Sequence, residues 1–237
     1  MTATTNKSVN YWGVLPAAGV GSRMGSEIPK QYLKLGNCPV IEHTLNRLTS
    51  HPMITGVVVA LSAEDDHYPY PKSFHGKSLT TVIGGAERCH SVLKALNYLI
   101  TVADSEDWVL IHDAARPCLR HSDIDLLIGS LSEDAVGGLL GVPVSDTVKR
   151  SDERQRVTET VCREGLWRAL TPQMFRLGRI VDALQSALEA GALVTDDASA
   201  MERMGWMPKM VVGHADNIKI THPYDLAQAE LYLQQQE

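Results

Sequence analysis

The sequence lacks any long apolar segment. Its longest hydrophobic run, at 56–61, has the length of a strand, whereas a helix that spans a bilayer needs about 20 apolar residues. The polar start of the chain, 1–10, contains no apolar core of the kind found in secretory signals. We therefore expect neither a membrane span nor export.

Paired cysteines and an excess of positive charge are also missing. The four cysteines are scattered and form no Cys-x-x-Cys motif, which predicts free thiols in the reducing cytoplasm. The net charge of −6 disfavours nucleic acid as a partner. An anionic ligand would then have to be bound by a local group of cations.

Segments of strand and helix character alternate along the 237 residues, which are enough for a single α/β domain, 1–237. Apolar runs predict strands, and helical spacing of apolar residues predicts helices, with Ser122 as the N-cap of the third helix. The alternation predicts a mainly parallel sheet covered by helices on both faces. The strands are predicted at 12–16, 54–61, 79–83, 108–111, 139–144, 210–212 and 217–220, and the helices at 40–48, 91–99, 122–131, 177–190, 197–204 and 223–233.

The stretch 145–165 differs from the rest because it is polar, charged and rich in Thr and Val. Two strand-like segments, 146–150 and 156–161, flank a turn at 151–155, which predicts a β-hairpin that projects from the core. An isolated hairpin is only marginally stable in water. We therefore expect a dimerisation arm that packs on a partner subunit, with a solvated surface hairpin as the alternative.

The strongest chemical signal is the loop after the first predicted strand, LPAAGVGSRM at 15–24, followed by PKQ at 29–31. Small residues allow backbone N–H groups to approach a phosphate or a base, and Arg23 and Lys30 add positive charge. A dinucleotide fingerprint would need glycine at Met24. Gly76-Lys77-Ser78 imitates the end of a P-loop, but the first glycine of that motif would have to stand at Pro71. The alternative is a flexible strand-to-helix turn with incidental charges.

Further motifs follow the first loop in a fixed order. With it, they resemble the 2-C-methyl-D-erythritol 4-phosphate cytidylyltransferases of the non-mevalonate isoprenoid pathway. The resemblance extends from residue 15 to residue 221 and is therefore specific. Besides the first loop, it rests on GGAERCHSV (84–92), HDAARP (112–117), DTVK (146–149), LTPQ (170–173), TDDA (195–198) and NIKIT (217–221).

The resemblance implies a Rossmann-like nucleotidyltransferase fold, a homodimer, and transfer of a cytidylyl group from CTP to 2-C-methyl-D-erythritol 4-phosphate with Mg²⁺ as cofactor. It implies that Arg23 and Lys30 hold the triphosphate, that Arg163 and Lys219 grip the incoming phosphate, and that Asp113 lies near the Mg²⁺ shell. The implied CTP contacts are Pro16, Ala17, Ala18, Gly19, Gly21, Gly85, Ala86, Ser91, Asp113 and Ala114. The implied contacts of the second substrate are Asp113, Arg116, Thr147, Arg163, Thr171, Thr195 and Lys219.

One position departs from the family pattern. Many members have Gly-Gly-Asp-Glu-Arg where this chain has Ala86. If the base is recognised there through the main chain, the change is harmless, whereas a required carboxylate would be missing.

The residues fit the implied chemistry. A phosphomonoester is largely a dianion at neutral pH, so it needs no general base, and the sequence contains no nucleophile motif such as G-x-S-x-G. The barrier is then the approach of two anions, which fixed cations and Mg²⁺ lower.

Other functions remain open at this stage. A ribitol 5-phosphate cytidylyltransferase would share the fold and the first motifs, and a nucleotide-binding regulator would need the loops but not Arg163 and Lys219. Asp123 and Asp125 imitate the D-x-D metal site of nucleotide-sugar glycosyltransferases, although a position in the first turn of a helix favours capping. A role for Asp196 in the site is as well supported as a role at the start of a helix.

Overall fold

The computed structural model describes residues 9–19 and 28–236 of the chain. The strands within these residues are β1 (Tyr11–Pro16), β2 (Lys34–Leu35), β3 (Cys38–Pro39), β4 (Ile54–Leu61), β5 (Ser73–Phe74), β6 (Lys77–Ile83), β7 (Trp108–Ile111), β8 (Gly137–Pro143), β9 (Val148–Ser151), β10 (Val157–Val161), β11 (Trp167–Arg176) and β12 (Lys209–Val212). The α-helices are α1 (Val40–Thr49), α2 (Arg88–Ile100), α3 (His121–Leu131), α4 (Leu177–Glu189), α5 (Asp197–Arg203) and α6 (Tyr224–Gln235).

Eight of these strands form one sheet in the order β12-β8-β11-β7-β1-β4-β6-β5. The pairs β1–β4, β1–β7, β4–β6 and β8–β12 are parallel. Strand β11 runs antiparallel to both β7 and β8, and the short β5 runs antiparallel to β6. The sheet is therefore mixed but mainly parallel at its centre, where β1, β4 and β7 lie.

Apolar side chains cover both faces of the sheet. Along β4, Val57 and Val59 belong to one buried cluster and Val58 and Ala60 to the other, because successive side chains of a strand point to opposite faces. Helices α1 and α3 supply the first cluster, and α2, α4 and α5 supply the second. The predicted α/β class, with helices on both faces, is confirmed.

The predicted hairpin is present as an antiparallel pair, β9 and β10, which forms a sheet of its own. Every residue at 150–160 is exposed to solvent. The confirmed part is the hairpin itself, while its packing on a second subunit stays a prediction. Within 9–19 and 28–236, no helix is both long and apolar enough to cross a bilayer.

Two predicted details are wrong, and one strand was not predicted. Helix α3 begins after Arg120, not after Ser122, and Arg120 makes no side-chain capping hydrogen bond. The segment 217–220 is not a strand, because its backbone groups bond to the main chain of Ala115 and to two cationic side chains described below. Strand β11 was not predicted, since Pro172 within it argues against a central strand. The ladder of β11 with β8 shifts register between Ala169 and Gln173, around that proline.

Candidate active site

A cavity of about 270 Å³ opens beside the carboxyl ends of β1 and β7. Strand β1 ends at Pro16, and Asp113 follows the end of β7 by two residues. Both residues line the cavity. Ligands of open α/β sheets bind at this edge, so the topology alone makes the cavity the first candidate for a functional site.

The first predicted loop forms one wall of the cavity. Pro16, Ala17, Ala18 and Gly19 all line it, as the sequence predicted. Gln31 is buried and holds the loop from behind: its Nε2 donates to the carbonyl oxygens of Ala17 at 2.7 Å and of Gly19 at 3.2 Å. Gly21 and Arg23, predicted for the same loop, lie outside the described residues.

The second loop, 84–87, forms the opposite wall. Gly85, Ala86 and Ser91 line the cavity, and the Ser91 hydroxyl accepts a hydrogen bond from the Gly85 amide at 3.0 Å. A Cβ on Gly84 would lie 2.8 Å from the Ala18 Cβ and from the Ser91 hydroxyl oxygen. This distance is shorter than a van der Waals contact. The two loops approach each other at Gly84 because this residue has no side chain.

The Asp113 carboxylate lies among three cations. Its Oδ2 is 2.8 Å from Lys219 Nζ and 3.5 Å from Arg116 Nε, and its Oδ1 is 3.0 Å from Arg88 Nε. Burial opposes ionisation of Asp113, but Arg88, Lys219 and Arg116 together lower its pKa well below the usual carboxyl value. Asp113 is therefore ionised at neutral pH, and it holds the cations in place.

A buried hydrogen-bond chain supports Asp113 from below. The Asp113 amide donates to Thr171 Oγ1 at 3.1 Å, and Thr171 Oγ1 is 2.9 Å from His112 Nδ1. His112 Nε2 must donate to the Arg116 carbonyl, 3.1 Å away, because a carbonyl only accepts. Nδ1 of the neutral ring then accepts from the Thr171 hydroxyl. Burial lowers the pKa of His112 to about 4, in agreement with this neutral form.

The irregular segment 217–221 brings one cation to the cavity and accepts hydrogen bonds from two others. Lys219 lines it, and Lys30 reaches it from the first motif while donating to the Ile220 carbonyl at 2.8 Å. Arg116 donates to the Asn217 carbonyl at 2.7 Å. The predicted residues Lys30, Asp113 and Lys219 therefore meet at one cavity although they are far apart in the sequence.

The remaining predicted residues lie away from the cavity lining. Arg163 and Thr147 are exposed on either side of the hairpin, and Arg163 donates to the Ser145 carbonyl. Thr195 is exposed immediately before α5. Ala114 is buried, its carbonyl accepts from Thr44 at 2.9 Å, and its neighbour Ala115 lines the cavity instead.

Only a few carboxylates are placed to meet a metal ion at this cavity. Asp113 and the exposed Glu87 are the acidic residues of its described lining. Glu87 also forms a group with Cys89 and His90, but sulfur and imidazole are not ligands that Mg²⁺ prefers. Asp113 retains lone-pair capacity beyond its three cation contacts, which fits a Mg²⁺ ion that takes most of its ligands from phosphate and water.

The D-x-D pair does not form a metal site. Asp123 is fully buried, and its Oδ1 accepts from the His214 amide at 3.1 Å and lies 2.8 Å from His214 Nδ1. Asp125 lies at the surface, 3.1 Å from His51 Nε2. Asp196 is the N-cap of α5 in a capping box with Ser199, and it also accepts from Gln173.

Sequence reasoning gave no role to three residues of the site: Arg88, Gln31 and Asp197. Arg88 lines the cavity and contacts both Asp113 and Asp197. A signal was available, because Arg88 is the first residue of α2, and a cation at a helix N-terminus is unfavourable unless a carboxylate is near.

The fold and the site together define an α/β protein of the nucleotide-binding class, with small-residue loops and cations at the carboxyl ends of parallel strands. The sequence model of one family, 2-C-methyl-D-erythritol 4-phosphate cytidylyltransferase, matches residues 12–235. The chain belongs to this family.

Relatives and solved structures agree with this family. The 2-C-methyl-D-erythritol 4-phosphate cytidylyltransferase of Shewanella pealeana is 56% identical over 221 residues, which are 93% of this chain and 94% of the relative. The protein of the same name from Pseudomonas aeruginosa is 52% identical over 94% of this chain and 96% of its own length. The crystal structure of the Francisella tularensis protein of that name is similar with a TM-score of 0.81 at 34% identity, over 94% of this chain and 99% of that one.

Proposed function

We propose that this chain transfers the cytidylyl group of CTP to 2-C-methyl-D-erythritol 4-phosphate and releases pyrophosphate, as a step in isoprenoid precursor synthesis. The observation that carries the proposal is the cavity in which Lys219 and Arg88 contact Asp113 and which Lys30 also lines, beside two small-residue loops. Membership of the family supplies the identity of the two substrates.

The reaction forms one bond and breaks one. A phosphate oxygen of the sugar alcohol phosphate attacks the α-phosphorus of CTP, and the bond from that phosphorus to the bridging oxygen of the β-phosphate breaks. The departing pyrophosphate takes the electron pair. No proton has to be removed from the nucleophile, since a phosphomonoester is largely a dianion at neutral pH.

The cations of the chain lower the barrier in two ways. Lys30, together with Arg23, would neutralise the triphosphate and the charge that develops on the α-phosphate. Lys219 would hold the incoming phosphate in line, which replaces a random encounter of two anions by a fixed geometry. The 2.8 Å ion pair with Asp113 fixes the position of the Lys219 ammonium.

A divalent cation is the proposed cofactor. Mg²⁺ would bind with the triphosphate near Asp113, and it supplies positive charge to the phosphate oxygens. Gly85, Ala86 and Ser91 would hold the base. Main-chain groups would recognise it in place of the aspartate carboxylate that many family members have at the position of Ala86.

The exposed hairpin is the proposed dimerisation arm. Thr147 and Arg163 lie at its base and outside the cavity of their own subunit. We propose that the arm carries them to the cavity of the partner, where they complete the site for the second substrate together with Thr195.

A cytoplasmic location agrees with the cysteines. All four are free thiols, and free thiols are typical of a reducing compartment.

The activity is tested by incubating the purified protein with CTP, Mg²⁺ and each candidate phosphate while pyrophosphate is measured. We expect release with 2-C-methyl-D-erythritol 4-phosphate and at least tenfold less with ribitol 5-phosphate or with UTP. The variant Lys219→Ala should lose activity. The matched variant Lys209→Ala should not, because Lys209 lies on the edge strand β12 and bonds to the Ser130 carbonyl. Faster turnover of ribitol 5-phosphate would reassign the second substrate.

A further inference from the structure

Arg88 connects two carboxylates that come from distant parts of the chain. Its Nε donates to Asp113 Oδ1 at 3.0 Å, and its two terminal nitrogens donate to the two oxygens of Asp197 at 3.0 and 2.8 Å. Each of the three guanidinium nitrogens thus donates one hydrogen bond, and the Asp197 side chain is fully buried. The bidentate contact with Asp197 fixes the plane of the Arg88 guanidinium as well as its position.

The arrangement is costly by itself. Arg88 is placed at the positive end of α2, where a cation is disfavoured, and Asp197 loses its water shell. Burial raises the pKa of Asp197, and the Arg88 guanidinium opposes that rise. Replacement of such a buried pair by apolar residues is often neutral or stabilising, so stability alone does not account for the pair.

The pair divides the oxygens of Asp113 between two tasks. Arg88 occupies Oδ1, whereas Oδ2 faces Lys219 and Arg116. Without Arg88 the carboxylate could rotate, and either oxygen could meet Lys219. The position of the Lys219 ammonium would then no longer be fixed.

On the basis of the proposed function, we propose that Arg88, anchored by Asp197, is a positioning residue that holds the Asp113 carboxylate so that Oδ2 places Lys219 for the second substrate. Arg88 acts through Asp113, and no contact of its own with the reacting atoms is required.

A double variant separates this role from a purely structural one. Arg88→Leu alone leaves Asp197 buried without a partner and should lower the urea midpoint of unfolding. Arg88→Leu combined with Asp197→Leu removes both charges and should restore the midpoint. If the pair only stabilises the fold, activity returns with stability. If it positions Asp113, activity stays low.

We expect the folded double variant to lose about 10²-fold in kcat/KM for 2-C-methyl-D-erythritol 4-phosphate, the size expected when a reacting group is misplaced by about 1 Å. The Kd of CTP alone should change less than threefold. Recovery of kcat/KM to within threefold of the native chain would overturn the proposal.

If the double variant does not fold, the variant Arg88→Lys tests the proposal instead. A lysine retains the charge but cannot span both carboxylates, so a loss of at least tenfold in kcat/KM is expected for Arg88→Lys, and a smaller loss would contradict the proposal.

One readout does not depend on turnover, so a failure of the proposed function would not hide the result. Carbon-13 NMR of the Asp113 carboxylate reports its pKa in the native chain and in Arg88→Lys. We expect a higher pKa in the variant, because a lysine that pairs with Asp197 leaves Oδ1 without its cation. An unchanged pKa would show that Arg88 does not hold Asp113. Absence of pyrophosphate with the native chain would refute the proposed function but not this role.

Discussion

The Asp113 carboxylate forms ion pairs with Lys219 at 2.8 Å, Arg88 at 3.0 Å and Arg116 at 3.5 Å. Each of these cations comes from a different sequence motif. The motif at 112–117 predicted Asp113 and Arg116, and the motif at 217–221 predicted Lys219. Arg88 was not predicted as a site residue, because its partners Asp113 and Asp197 are distant from it in the sequence. At this scale, the residues that line the cavity are easier to infer than the side chains that hold one another in place.

Lys30 should contribute strongly to turnover. Lys30→Ala is expected to lower kcat by about 10²–10³, the effect of removing one fixed donor of charge stabilisation. Pyrophosphate release at saturating substrates measures it. Lys34→Ala is the matched control, because Lys34 is a nearby exposed lysine outside the cavity lining. A decrease of less than threefold would remove Lys30 from the mechanism.

His112 should make the protein less stable in weak acid. Its pKa is about 4 in the folded chain and about 6.5 in an unfolded one, so between these values the unfolded state binds more protons. The free energy of unfolding therefore rises with pH in this window and falls on acidification. From pH 7 to pH 5 the loss from His112 should be about 2 kcal/mol.

Urea unfolding at both pH values, compared with His112→Asn, measures this contribution. The asparagine oxygen can accept from the Thr171 hydroxyl but does not titrate. An equal loss of stability in the variant would assign the pH dependence to other groups.

Individual elements were predicted where local pattern and tertiary environment agree. Strands β4 and β7 and helix α1 have continuous or periodic apolar residues, and the structure contains them within one or two residues of the predicted bounds. Strand β11 was missed because Pro172 interrupts its pattern. The strand predicted at 217–220 is absent because Lys30 and Arg116 use its carbonyl groups. These two errors lie at the site, where function overrides local propensity.

Arg163, at the base of the hairpin, should affect the binding of the second substrate only. Arg163→Ala is expected to raise KM for 2-C-methyl-D-erythritol 4-phosphate at least tenfold and to leave KM for CTP within about threefold, since loss of a binding contact to one substrate affects that substrate. Arg154→Ala, in the exposed turn of the same hairpin, should change neither value. Equal changes for both substrates would contradict the placement of Arg163.

At the scale of the whole molecule, the doubly covered sheet, the hairpin and the meeting of Lys30, Asp113 and Lys219 at one edge were predicted from the sequence. The order of the strands could not be read from it, because antiparallel β11 inserts between β7 and β8. The packing of the exposed residues at 150–160 on a second subunit stays a prediction, which rests on the marginal stability of a free hairpin.

A shared site predicts complementation between subunits. With 2-C-methyl-D-erythritol 4-phosphate well below its KM, Lys30→Ala and Arg163→Ala are each expected to have at most about a tenth of the native activity. A mixed dimer places both defects at one cavity and leaves the other intact. Subunits refolded together at equal concentrations should then recover about a quarter of the native activity, since half of the dimers are mixed and each has one intact cavity of two. Activity no higher than the mean of the two variants would indicate that each subunit works with its own Arg163.

The hydrogen bond from Lys30 to the Ile220 carbonyl spans 190 positions of the chain. A growing polypeptide therefore carries its first motif long before the partner of Lys30 has been synthesised. Catalytic competence can then arise only after residue 220 has been synthesised, and premature termination upstream of 217 should yield products that retain much of the sheet yet turn over no substrate.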